Sequence, residues 1–257
     1  MTDPQPLSPE SLPDWDEPPL SPPPPRDPFW GYHDLLIFLG TAPIALLIGA
    51  FLVKAAFAVL RIHPTTKVIE VLPEQFLGYV LLYGALAAIF RVWYARPFWH
   101  SLGWRPMRLP FTLIIVAGMA TGILVALGSA LIHMKEVPNP LTDLMKGRTA
   151  LILMAIFGVT VAPVAEELAF RGFLQPLLAR SFGPLLGILF TAVPFGLLHF
   201  EEYGNSWAHV VLICLAGAAF GAMRQLTGST KASALMHASY NALFFIAAFS
   251  AGKDLPH

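Results

Sequence analysis

The sequence predicts an all-α protein, a polytopic transmembrane helical bundle of about seven to eight helices, and two observations carry that expectation. Of its 257 residues, 56% are hydrophobic and only 12% are charged, whereas a soluble domain uses roughly a quarter charged residues to cover its surface. Apolar runs free of charge also recur along the chain, each long enough to cross about 30 Å of hydrocarbon as a helix. The formal net charge is zero, which leaves no basic footprint for nucleic acid. The expected surroundings are therefore a lipid bilayer, with no nucleic-acid partner. The single cysteine, Cys214, excludes an intrachain disulfide and reads as a small packed apolar side chain.

Three regions are expected: a proline-rich disordered tail over 1–30, N-terminal membrane helices over 31–148, and a catalytic membrane core over 149–250. The tail holds Pro22 to Pro25 and scattered acids; it has too little apolar surface to offset its ordering entropy. Its opening, Met1-Thr2-Asp3-Pro4, lacks the basic stretch of a cleaved signal, so the first membrane helix is expected to direct insertion.

Helix 1 is expected from Asp34 to Leu60, with Lys54 snorkelling to one interface. Pro64 and Pro73 bracket a connection before helix 2, from Glu74 to Tyr94. The stretch Arg96 to Arg105 mixes tryptophan with arginine, the chemistry of a membrane interface. Helix 3, Pro110 to Ile132, carries Gly118 and Gly122, a small-residue face for close helix contact. A polar connection with Pro138 and Pro140 leads to helix 4. That helix begins near Thr149 and is helical in pattern to Arg180, with a kink or break at Pro163. Helices 5, 6 and 7 follow over Pro184 to Phe200, Trp207 to Gln225 and Lys231 to Phe249. Seven spans plus a short helix after the acidic pair is the expected count. Basic residues between helices 2 and 3, and their absence after helix 5, place the N-terminus in the cytoplasm and the C-terminus outside. Lys135, Lys146 and Arg148 run against that orientation.

An ionisable side chain at mid-bilayer depth costs about 2.5–3.5 kcal/mol on insertion scales. Between Thr149 and Phe249 the acids are Glu166, Glu167, Glu201 and Glu202, and the histidines are His199, His209 and His237. In a helix Glu167 and Arg171 share a face as i and i+4 and can pair. Glu166 points about 100° away and stays free for other work. Alone, the two acids could equally cap the helix after Pro163. Phe195 and His199 lie one turn apart after Pro194. His237 and Asn241 also lie one turn apart; they could be hydrogen-bonding glue between helices or donors aimed at a developing oxyanion. Jointly, three apolar helices supply a base, a charge pair, imidazoles and donors, the parts needed to hydrolyse a peptide bond. Glu201 and Glu202 read as solvated loop charges, with a lesser reading in which one orients His199. His209, like His33, His63, His100 and His133, reads as an interfacial residue.

In this order the motifs Glu166-Glu167-x-x-x-Arg171, Phe195-x-x-x-His199 and His237-x-x-x-Asn241 resemble those of the CPBP family. That family holds CAAX proteases and bacteriocin-processing enzymes, is also called Abi, and is similar to the Ras-converting CAAX endopeptidase. The resemblance covers Thr149 to Phe249. It implies an intramembrane endopeptidase acting on peptides or on prenylated or membrane-anchored proteins. By that likeness Glu166 and His199 activate water, His237 and Asn241 stabilise the oxyanion, and Glu167 and Arg171 hold the geometry. No cofactor is favoured, although Glu166, His199 and His237 would form a reasonable zinc site. Other readings are an ion-coupled transporter, against which no internal repeat is visible, and a non-catalytic membrane immunity or scaffold protein.

Overall fold

A computed structural model describes residues 27–134 and 140–251, and these are helical with short connections. Most of the expected proline-rich tail, together with Lys135 and Pro138, lies outside the described residues. Helix α1 spans Tyr32–Leu60, α2 Lys67–Tyr94, the short α3 Phe98–Ser101, α4 Phe111–Leu131 and the short α5 Pro140–Leu144. Helix α6 spans Arg148–Glu167 and passes through a π-helical segment, Leu168–Leu174, into α7, Gln175–Phe182. The chain ends with α8 Pro184–Leu198, α9 Trp207–Thr227 and α10 Thr230–Ala251. Among the described residues, six helices are long and apolar enough to cross a membrane, counting α6 to α7 as one of 35 residues. The chain is an integral, multi-pass membrane protein.

Several expectations need correcting. The predicted fifth span, α8, has 15 residues. At 1.5 Å per residue it covers about 22 Å, short of the roughly 30 Å of hydrocarbon. It stops at Leu198 because His199 takes a non-helical conformation. Helix α2 begins a turn and a half before Pro73, which therefore lies inside it. Tertiary contacts hold that first stretch: Val68 is buried, and Lys54 reaches Glu70 and Glu74 at 3.7 Å each. Lys54 thus pairs across helices rather than simply snorkelling. Pro163 does not break α6, which stays α-helical to Glu167. The irregular turn instead falls after the acidic pair, as the π segment.

Exposed leucine, isoleucine and phenylalanine side chains cover the outside of the bundle, Leu47, Phe51, Leu124 and Leu185 among them. A surface of that kind suits lipid rather than water. Inside, aromatic rings dominate. Trp30 packs against both Phe90 and Phe173, with centroids 5.3 and 5.4 Å away, and its indole N–H donates to the Phe173 carbonyl at 3.1 Å. A second cluster around Phe170, Phe195, Phe220 and Met236 surrounds the polar groups of the core. Small residues set the helix spacing, as expected. A side chain at Gly118 would collide with the Met236 carbonyl oxygen, so α4 lies directly against α10. One at Gly217 would meet Phe195 and the Arg171 guanidinium.

Candidate active site

Helix α6 delivers both glutamates from its last turn, and a hydroxyl bond from Tyr83 to the Ala165 carbonyl ties that turn to α2. The pair then divides. Glu167 is wholly buried and accepts from Arg171 Nη1 at 2.8 Å. The same Oε1 accepts from His237 Nδ1 at 3.1 Å, and Oε2 accepts from the Ser233 hydroxyl. Ser233 Oγ also lies 2.9 Å from the Phe220 carbonyl, but its single proton favours the charged acceptor. With three donors around it, Glu167 has no remaining role beyond holding its neighbours.

Arg171 is equally enclosed. Its Nη2 donates to the Gly217 carbonyl at 2.6 Å, and its guanidinium lies 4.3 Å from the Phe195 ring centroid, with Phe170 and Phe220 nearby. This explains the aromatic residue that opens the second motif. The Phe195 ring covers the buried cation, while its carbonyl, 2.8 Å from His199 Nδ1, fixes the neighbouring imidazole. A carbonyl can only accept, so Nδ1 carries the proton and Nε2 is the free nitrogen of His199.

The ring of His237 is held in the same manner. It stacks on Phe220 with centroids 4.6 Å apart and planes 19° apart. Its Nδ1 proton points at Glu167, which again leaves Nε2 facing the site. Glu166 completes the arrangement. Its Oε2 is buried without a hydrogen-bond partner and lies 3.9 Å from Nε2 of both His199 and His237. The three groups line a cavity of about 180 Å³ together with Tyr240 and Asn241.

The six polar motif residues therefore meet around one centre. Asn241 both lines the cavity and donates Nδ2–H to the Gly158 carbonyl at 2.7 Å, tying α10 to α6. One amide proton thus serves as glue. Sequence reasoning missed Ser233, whose small polar side chain in an apolar helix was its only signal. It also set Glu202 aside. That residue lines the cavity, and its Oε2 lies 3.9 Å from His199 Nε2; the i, i+3 spacing from His199 was the available clue. Burial, reinforced by the Glu166 carboxylate and opposed by His199, raises the Glu202 pKa above its ordinary value. Glu201 is exposed, as expected of a loop charge. His209 stacks on Tyr203, with centroids 5.1 Å apart.

Zinc bound through 2.0–2.1 Å bonds in a tetrahedron needs donor atoms about 3.3 Å apart. The 3.9 Å separations are wider, and the described residues hold no group of three His, Cys, Asp or Glu placed to take a metal ion. A water molecule about 2.8 Å from both atoms of either pair fits the same spacing.

Residues 148–243 match a family model described as Rce1-like, type II CAAX prenyl endopeptidase. Over this segment the chain is similar to the Rce1-like family. Neither the curated proteins nor the solved structures gave a match. The matched segment contains all seven motif residues and none of α1 to α4. The family it resembles is described as one of endopeptidases.

Proposed function

We propose that the chain is an intramembrane endopeptidase that cleaves peptide bonds of membrane-associated substrates, of CAAX or leader-peptide type, with a water activated by Glu166 and His199. The observation that carries this reading is the convergence of Glu166 Oε2 and two imidazole Nε2 atoms at 3.9 Å in a cavity. A water placed between them donates one proton to the Glu166 carboxylate and its other O–H to the His199 Nε2 lone pair. Its oxygen attacks the peptide carbonyl as that first proton transfers. The resulting oxyanion faces His237 and the amide of Asn241, which stabilise it. Glu166 then returns the proton to the departing amine as the C–N bond breaks. Glu167 and Arg171 contribute position only, their charges cancelling behind the cavity wall.

The bundle also supports an orientation. Thr230 N–H donates to the Gly103 carbonyl at 2.9 Å, and Tyr32 O–H donates to Ser181 at 2.7 Å. These contacts gather the start of α1, the α2–α4 connection and the α9–α10 turn at the same pole. Arg96, Arg105, Arg108, Arg180, Arg224 and Lys231 sit there. By the positive-inside rule this pole, and the N-terminus with it, faces the cytoplasm of a cytoplasmic membrane.

The test is cleavage of a farnesylated CAAX-type reporter peptide and an unprenylated leader-type peptide by the detergent-purified chain. Glu166→Gln and His199→Ala should each lower kcat by about 10²–10⁴, the usual range for losing a general base. Equal cleavage by wild type and both variants would remove the peptidase reading. Activity should survive a strong chelator, and a zinc-reversible loss would overturn the metal-free mechanism. Because a transporter or scaffold cleaves nothing, the same assay separates those readings.

A further inference from the structure

We propose that Glu202 is the specificity-determining residue of the cavity, selecting substrates with a basic side chain at or next to the scissile bond; this rests on the peptidase reading above. The charge of the cavity wall is one-sided. It includes Glu166 and Glu202 but no lysine or arginine. The third core carboxylate, Glu167, is neutralised by Arg171. Among the described residues Glu202 pairs only with His199, at 3.9 Å, an imidazole that Glu166 approaches equally closely. Its side chain remains 42% exposed, so a ligand can reach it.

Burial raises the Glu202 pKa; His199 opposes that shift and the Glu166 carboxylate adds to it. A cation entering the cavity would relieve that repulsion and hold Glu202 ionised. Around the acids the wall is apolar, with Ile213, Phe244, Phe245 and Ala248. Lysine and arginine combine an apolar stem with a charged tip and suit such a wall. The cavity of about 180 Å³ equals about six waters at 30 Å³ each, room for a single long side chain. Register follows from the shared imidazole. Each carboxylate is 3.9 Å from His199 Nε2, so they lie no more than about 8 Å apart, within two residues of extended chain.

The experiment uses the full-length chain in detergent and three farnesylated CAAX-type peptides that differ only in carrying Lys, Met or Glu beside the scissile bond. Wild type should favour the Lys peptide over the Glu peptide by about tenfold in kcat/KM, the equivalent of 1.4 kcal/mol. Glu202→Gln should bring the two within about twofold, and Glu202→Lys should invert the preference, because a charge swap exchanges attraction for repulsion. Glu201→Gln, an exposed neighbour outside the cavity, should keep the wild-type ratio. Variants are compared only if they elute as monodisperse protein. An unchanged Lys-to-Glu ratio in Glu202→Lys would overturn the assignment while leaving the peptidase intact. Failure of wild type to cleave any of the three, and the unprenylated leader-type peptide as well, would remove both.

Discussion

The α1–α2 pair and the Rce1-like core both carry charge among apolar helices, and they handle it in opposite ways. In the first, Lys54 meets Glu70 and Glu74 at 3.7 Å with its side chain 60% exposed. In the second, Glu167 and Arg171 pair at 2.8 Å with no exposure at all, and three further hydrogen bonds and three aromatic rings surround them, although Arg171 Nε has no hydrogen-bond partner. An exposed pair is screened and is dispensable. A buried pair is costly to assemble and far more costly to half-remove, because the survivor is left as an uncompensated charge. The core accepts that cost because Glu167 fixes His237, and Arg171 anchors α9 through the Gly217 carbonyl.

The comparison is broken most severely by Arg171→Met. It strands Glu167 among phenylalanines and should cost about 3–5 kcal/mol, read as a collapse of thermal stability or of folded yield. Restoring near-wild-type stability with Glu167→Gln in the same chain would sharpen the account, since both charges then leave together. A smaller effect is expected at the α4–α10 contact. Gly118→Val places a side chain on the Met236 carbonyl and should cost about 1–3 kcal/mol through overpacking, seen as a lower melting temperature. Trp30→Phe keeps an aromatic ring against Phe90 and Phe173 but removes the bond to the Phe173 carbonyl, for a loss near 1 kcal/mol. Lys54→Ala should change stability by less than about 1 kcal/mol, and less still in high salt.

Glu202 adds a signed pH effect. Its folded pKa is raised, so across the window above the ordinary carboxylate value the native state holds the proton more tightly than the unfolded chain. Stability from this group is full below that window and falls as pH rises through the folded pKa. Glu202→Gln should flatten that decline, measured as melting temperature against pH, and should match wild type at the acidic end.

Much of this was legible in the sequence because membrane insertion imposes strong rules. Charge-free runs marked the helices to within a few residues except at the start of α2, and the three motifs contain the six polar residues that come together around Glu166 and Glu167. What was hidden depends on tertiary context. Pro163 is a helix breaker by local chemistry, yet α6 continues through it. The π segment has no signature in residue type. It lies within the packed stretch that places Arg171 against Gly217 and Phe195. Ser233 reads as an ordinary small residue until the Glu167 carboxylate is placed beside it. Glu202 reads as a loop charge, because the early end of α8 that turns it back toward His199 cannot be inferred from hydropathy.

The adjacent glutamates permit the most direct test. Glu166→Gln changes one atom of an unpartnered carboxylate at the cavity, so thermal stability should stay at or above wild type while kcat for reporter-peptide cleavage falls by about 10² or more. A Glu166→Gln protein that melts like wild type and cleaves at the wild-type rate would contradict the assignment of Glu166 as the residue that activates water.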